Sequence, residues 1–312
     1  MLPTSLIIVE RGFTEDRRLI ERKERGSSVL ILLTNDDGIY APGLAAMERE
    51  LIQLGEVRVV APATEQSGVG HSITYLAPLI VKEVYIDEIH WGWAVEGSPA
   101  DCVKIGIAEL CPRRPDLVVS GINGGLNAGI NVLYSGTVAA AVEGAFFRVT
   151  SVAVSLEFDE HAQFGKAARL ARSVIEQILQ NKGSEPQLYN VNIPTAALDK
   201  APEVRVVPMD VAQYGERFER RTDPWGRDYY WATGEPAPPT AEQETDLTAM
   251  SKGCVTVTPL DFNMTHQSLL DEMQKWKFSL EKIEADQSDA RPPGFGPVVR
   301  SSRKKRRSAA EN

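Results

Sequence analysis

Residues Val29-Leu30-Ile31-Leu32-Leu33 form an unbroken apolar run, and Thr34-Asn35-Asp36-Asp37-Gly38 follows it at once. Apolar on every position rather than on alternate ones, this run predicts a strand buried on both faces, closed by a polar turn. The same texture recurs. Strands are predicted at 57–61, 116–120 and 151–155, and helical spacing of apolar residues predicts helices over 42–54, 99–110, 137–147 and 163–180. Pro42 suits a first helical turn, where its missing N–H costs nothing. Alternation of strand and helix predicts an α/β fold, a Rossmann-like, doubly wound and mostly parallel sheet with helices on both faces.

After Asn181 the pattern changes to short apolar runs, Leu188 to Ile193 and Val204 to Val207, then a polar, aromatic and Pro-rich stretch from Gln213 to Pro239. Parallel crossovers stop there. An antiparallel extension or hairpin is expected at about 205–240, with Cys254 to Thr258 returning to the body as a strand. Residues 265–285 read as an amphipathic helix with Leu269, Leu270, Met273, Trp276 and Phe278 as its apolar positions, which suit either core packing or the covering of a partner subunit. Residues 1–28, dense in Glu and Arg, and residues 286–312 are expected to be disordered and to lie outside the domain, which spans 29–285.

The 312 residues, 43% hydrophobic with a net charge of −9, have the composition of a globular protein. That charge disfavours nucleic acid as a general partner. The run Arg303-Lys304-Lys305-Arg306-Arg307 is a local exception, read first as a solvated tail and second as a weak contact for nucleic acid. Three cysteines without metal-ligand or CxxC spacing argue for a reducing compartment, and neither a signal peptide nor a membrane-length apolar run is evident. A cytoplasmic location is expected.

Three loops that each follow a predicted parallel strand should open at one edge of the sheet, where open α/β sheets bind ligands. The first carries Asp36 and Asp37, the second (62–68) Ser67, the third (120–127) Asn123 and Asn127. Adjacent carboxylates repel unless a cation neutralises them. Carboxylate, hydroxyl and amide oxygens suit Mg²⁺ or Mn²⁺ rather than zinc. The plainer reading is that Asp36-Asp37-Gly38 merely caps a turn. Further on, Tyr134-Ser135-Gly136-Thr137 precedes a predicted helix whose free N–H groups could receive a phosphate; equally, Ser135 or Thr137 could simply cap that helix.

Taken in order, Thr-Asn-Asp-Asp-Gly at 34–38, Gln66-Ser67-Gly68, Val-Ser-Gly-Ile-Asn at 119–123 followed by Asn127, Tyr-Ser-Gly-Thr-Val at 134–138 and Asn-Val-Asn-Ile-Pro at 190–194 resemble the SurE family. Motifs at 221–235, 244–246 and 258–260 extend the resemblance over roughly residues 29 to 265. Members of that family are metal-dependent 5'/3'-nucleotidases. The resemblance implies metal ligands at Asp36, Asp37, Ser67 and Asn123, with Asn127, Ser135, Gly136 and Thr137 near the phosphate. It also implies a homodimer or homotetramer built through the 205–240 region and the last helix. Asn131 stands where the family commonly has an acidic residue.

The expected reaction is hydrolysis of nucleoside 5'-monophosphates, and of 3'-nucleotides, by water activated at one divalent cation, with Asp36 and Asp37 as the catalytic carboxylates. An aspartyl-phosphate mechanism would need Asp-x-Asp spacing, which Asp36-Asp37-Gly38 lacks. A zinc deacetylase would place a His where Asn35 stands. From a different class, a nucleotide-binding regulatory module without turnover remains the alternative.

Overall fold

In the computed structural model, residues 29–199, 201–211, 217–233 and 243–280 are described. The chain divides into two units, residues 1–263 and 264–312. The expectations for residues 1–28 and 286–312 lie outside the described residues.

The first unit is built on a mixed nine-stranded sheet, ordered β3-β4-β2-β1-β5-β6-β7-β11-β8 among the described residues. Its centre is parallel: β4 (Ile89–Val95), β2 (Gly55–Pro62), β1 (Val29–Thr34), β5 (Leu117–Gly124), β6 (Thr150–Leu156) and β7 (Leu188–Ile193) run one way. At one margin β3 (Val81–Ile86) is antiparallel to β4, and at the other β11 (Val255–Leu260) is antiparallel to β7 and pairs with β8 (Val204–Val206).

β1 shows why the apolar run had no alternation. Ile31 and Leu33 pack with α1 (Pro42–Leu51) and α4 (Phe164–Asn181), through Leu44, Met47, Ala167 and Ala171. Leu32 faces the opposite way, where Val60 and Val118 meet α2 (Pro99–Ile105) and α3 (Gly136–Phe146) through Cys102, Val103 and Ala140. Successive side chains leave opposite faces of a strand, so a strand with helices on both sides must be apolar throughout.

The chain leaves β1 toward β2 on one side and returns to β5 on the other. That reversal opens a crevice beyond the carboxyl ends of β1 and β5. Asp36 and Asp37 lie at its lip.

Several boundaries differ from the sequence reading. The hairpin β3–β4 was not expected; its turn, Asp87-Glu88, has φ of 49° and 65°, the left-handed pair that a tight hairpin requires. The helix expected over 99–110 is regular only to Ile105, and Gly106–Leu110 continues as a wider π turn. A short helix, α5 (Asp246–Ser251), was also missed. The expected antiparallel hairpin is present as β9 (Phe218–Thr222) and β10 (Asp228–Ala232), all of whose residues are exposed.

In the second unit the helix expected over 265–285 is α6, limited to Gln267–Met273; residues 281–285 lie outside the described residues. None of its residues is buried. A helix this short without a packed face has little to extend it.

Candidate active site

Asp36 is only 4% exposed, and its carboxylate is fixed by the start of α3. Oδ2 accepts the Thr137 backbone N–H at 3.0 Å, and Oδ1 accepts the Thr137 hydroxyl. Ser135 caps the same helix, its Oγ accepting the Val138 N–H at 3.1 Å. Between them Gly136 has no room for a side chain: a Cβ there would lie 2.9 Å from Asp36 Cβ and 3.2 Å from the Gln66 carbonyl oxygen. Ser-Gly-Thr is thus a cap, a close approach and a clamp on Asp36.

The neighbouring loops are tied to this point. The Asp36 carbonyl accepts the Gln66 N–H at 2.8 Å, which brings the loop carrying Ser67 alongside. Ser67 is exposed and its hydroxyl donates to Glu65 at 2.7 Å. Asp37 Oδ2 accepts the Gly124 N–H at 3.3 Å, bringing in the β5 loop with Asn123. A shift in β5–β6 register between Ser120 and Asn123 re-aims that strand end, a common device beside active sites. Asn123 Nδ2 donates to the Gly125 carbonyl at 2.6 Å.

Asn127 is locked deeper. Its Nδ2 donates to Ser155 Oγ at 2.8 Å, its N–H donates to Asn192 Oδ1 at 2.9 Å, and its carbonyl accepts from Asn190 and Asn192. Its contacts here are those of a residue that shapes the loop. The polar side chains of Asn190 and Asn192, two apart on an otherwise apolar strand, were the signal for this buried network. Asn131, at the acidic position of the family pattern, is exposed in the one-turn 3₁₀ segment Gly129–Leu133.

Burial pushes the Asp36 carboxyl above the usual range, against the pull of its bonds to Thr137. Burial, and next the negative charge of Asp36, push Asp37 up to about 6. Glu65 adds negative charge against both. Sequence reasoning missed Glu65, although it stands two residues before Ser67. Crowded carboxylates disfavoured in their charged form fit a cation. Among the described residues no three His, Cys, Asp or Glu side chains cluster as metal ligands. A divalent ion at the pair would need neutral oxygens to complete its shell, and the hydroxyl and amide oxygens of Ser67 and Asn123, on the two loops tied to the pair, are of the type that suits a hard ion.

A family model described as Survival protein SurE matches residues 31–217. The 5'-nucleotidase SurE of Rhodopirellula baltica is 64% identical over 248 residues, which is 79% of this chain and 98% of the relative. That of Heliobacterium modesticaldum is 42% identical over 247 residues, 79% of this chain and 91% of the relative. The crystal structure of the SurE protein from Aquifex aeolicus superposes with a TM-score of 0.70 at 36% identity, covering 78% of this chain and 98% of that one. With its crevice, its clamped Asp pair and these relatives, the chain belongs to the SurE family.

Proposed function

We propose that this protein is a 5'-nucleotidase that hydrolyses nucleoside monophosphates to nucleoside and phosphate, acts on 3'-nucleotides as well, and depends on one Mg²⁺ or Mn²⁺ held by Asp36, Asp37, Ser67 and Asn123. The observation that supports the metal is the adjacent Asp36 and Asp37, one buried and one half-buried, with Glu65 adding further negative charge against both. The names of its relatives carry the substrate.

A divalent cation at this site would polarise a phosphoryl oxygen and lower the pKa of a water molecule. The chain supplies placement. Thr137 holds Asp36 in one orientation through two hydrogen bonds, so the carboxylate needs no reorganisation when charge develops on the phosphoryl group. The amino terminus of α3, an eleven-residue helix beginning at Gly136, directs the positive end of its dipole at the same spot. With a body of net charge −9, attraction of a phosphate must come from such local sources.

Exposed aromatic residues on the hairpin, Phe218, Trp225, Tyr229, Tyr230 and Trp231, support assembly into a homodimer or homotetramer. No helix among the described residues is long and apolar enough to cross a membrane.

Phosphate release from a panel of nucleoside 5'- and 3'-monophosphates, with Mn²⁺ and with EDTA, tests the reading. Metal-dependent release is expected. Tight nucleotide binding without release would favour the regulatory module instead.

A further inference from the structure

A second concavity opens at the same edge of the sheet, two strands along. Its volume is about 310 Å³, and Asp159, His161, Gln163, Thr195, Leu198 and Asp199 line it. These residues lie on the loops that follow β6 and β7. Pockets of a few hundred Å³ are the size that takes small organic ligands, and this one sits at the lower end of that range.

The walls are built. Glu157 binds the two loops together, its Oε2 accepting both the N–H and the hydroxyl of Thr195 at 2.8 Å. The His161 N–H donates to Asp159 Oδ1 at 2.7 Å, and Lys166 pairs with Asp199 at 3.1 Å. Gln163 makes no capping bond at the start of α4, so its amide is not committed there.

The concavity is also joined to the Asp pair. Phe164, next to Gln163, lies against Gly124, where an added Cβ would meet its ring at 3.8 Å, and Gly124 is the residue that donates to Asp37. From the crevice between β1 and β5 to the mouth between β6 and β7 is two strand spacings, about 10 Å. That is a span a phosphate–ribose–base unit can bridge.

The chemistry orients such a ligand. Asp159 and Asp199 at the rim accept hydrogen bonds from sugar hydroxyls and from amino groups of a base, the Asp199 charge being paired with Lys166. With the cation of the nucleotidase reading and the positive end of the α3 dipole at Asp36 and Asp37, the phosphate end belongs there and the uncharged end at the concavity.

We propose that the concavity between the β6 and β7 loops is the nucleoside subsite, in which Asp159, His161, Gln163 and Asp199 hydrogen-bond the ribose and base of the substrate. This rests on the nucleotidase reading above. The two halves of the substrate then occupy separable sites, and the two products report on them separately.

The test is product inhibition. In His161→Ala and Gln163→Ala, neither of which removes a side-chain bond that holds the walls, the KM for the nucleoside monophosphate and the Ki of the free nucleoside should each rise about five- to tenfold. The Ki of inorganic phosphate and the urea midpoint should stay within error of the wild type. Unchanged nucleoside constants, or nucleoside and phosphate constants that rise together, would overturn the subsite while wild-type phosphate release leaves the nucleotidase reading standing. If the wild-type protein releases no phosphate from any nucleotide, that reading falls and the subsite falls with it.

Discussion

Gly136→Ala is the sharpest perturbation of the clamp between α3 and Asp36. The added methyl carbon would lie 2.9 Å from Asp36 Cβ, 3.1 Å from Asp36 Oδ2 and 3.2 Å from the Gln66 carbonyl oxygen. Carbon atoms in contact prefer about 3.5–4.0 Å, so Asp36 and the helix start must separate by roughly 0.6 Å or more. Asp36 Cβ is the root of its side chain, Oδ2 is held by the Thr137 N–H and the Gln66 oxygen is backbone, so none of them swings aside freely. Overpacking of this kind costs about 1–3 kcal/mol of stability. At a reacting centre a shift approaching 1 Å costs up to about a hundredfold in rate, so kcat/KM should fall about ten- to a hundredfold. Gly165→Ala is the control. That position lies on α4 with no atom within 4 Å of an added Cβ, and the change should raise stability by about 0.4–1 kcal/mol with activity unaltered. Urea denaturation and steady-state kinetics of both variants decide the matter. Gly136→Ala with kcat/KM within twofold of the wild type would refute the close approach as the reason for glycine there.

Three further perturbations address the charges and bonds around the site. Thr137→Val keeps the shape but removes the hydroxyl that donates to Asp36, a bond to a charged group worth about 1.5–3 kcal/mol; the Mn²⁺ concentration for half-maximal activity should rise about tenfold or more, and an unchanged midpoint would contradict the clamp. For Asp37 the folded-state pKa is about 6 against 3.8, so without metal the folded state holds that proton more tightly and this group's contribution to stability declines as pH rises from about 4 through 6. After screening at a half-buried group, Asp37→Asn in EDTA should be about 1–2 kcal/mol more stable than wild type at pH 7 and equal to it near pH 4; equal stability at both would count against the repulsion. Burial alone would raise Glu143, yet the bonds from His71 at 2.6 Å and Lys104 at 3.4 Å hold it below the ordinary range. Its contribution is therefore present at neutral pH and lost on acidification through the carboxylate range. Glu143→Ala should cost about 1–3 kcal/mol at pH 7, read by urea denaturation, and a loss under 0.5 kcal/mol would show that the cluster holds nothing.

What could be read in advance followed how local the physics was. The run from Val29 to Leu33 declared a two-sided strand by itself, and connectivity brought the loops of Asp36, Ser67 and Asn123 to one edge. The β3–β4 hairpin escaped because its strands mix apolar and charged residues and its turn is Asp87-Glu88, without the glycine that usually marks one. The roles of Ser135, Gly136 and Thr137 could not be divided from sequence, since the Asp36–Thr137 bonds join residues 101 positions apart and the tight approach of Gly136 exists only once α3 is docked. Asn127 shows the same limit: its bonds to Ser155, Asn190 and Asn192, which tie its loop to β6 and β7, join residues far apart in sequence.

The central claim is that Asp36 and Asp37 hold the cation on which nucleotide hydrolysis depends. Asp36→Asn keeps the size of the side chain while removing its charge, and the measurement is phosphate release from a nucleoside 5'-monophosphate in Mn²⁺ by a variant shown to be folded by urea denaturation. The account predicts loss of turnover in the variant, matched by loss in the wild type when EDTA is added. Turnover near the wild-type rate in Asp36→Asn would contradict it.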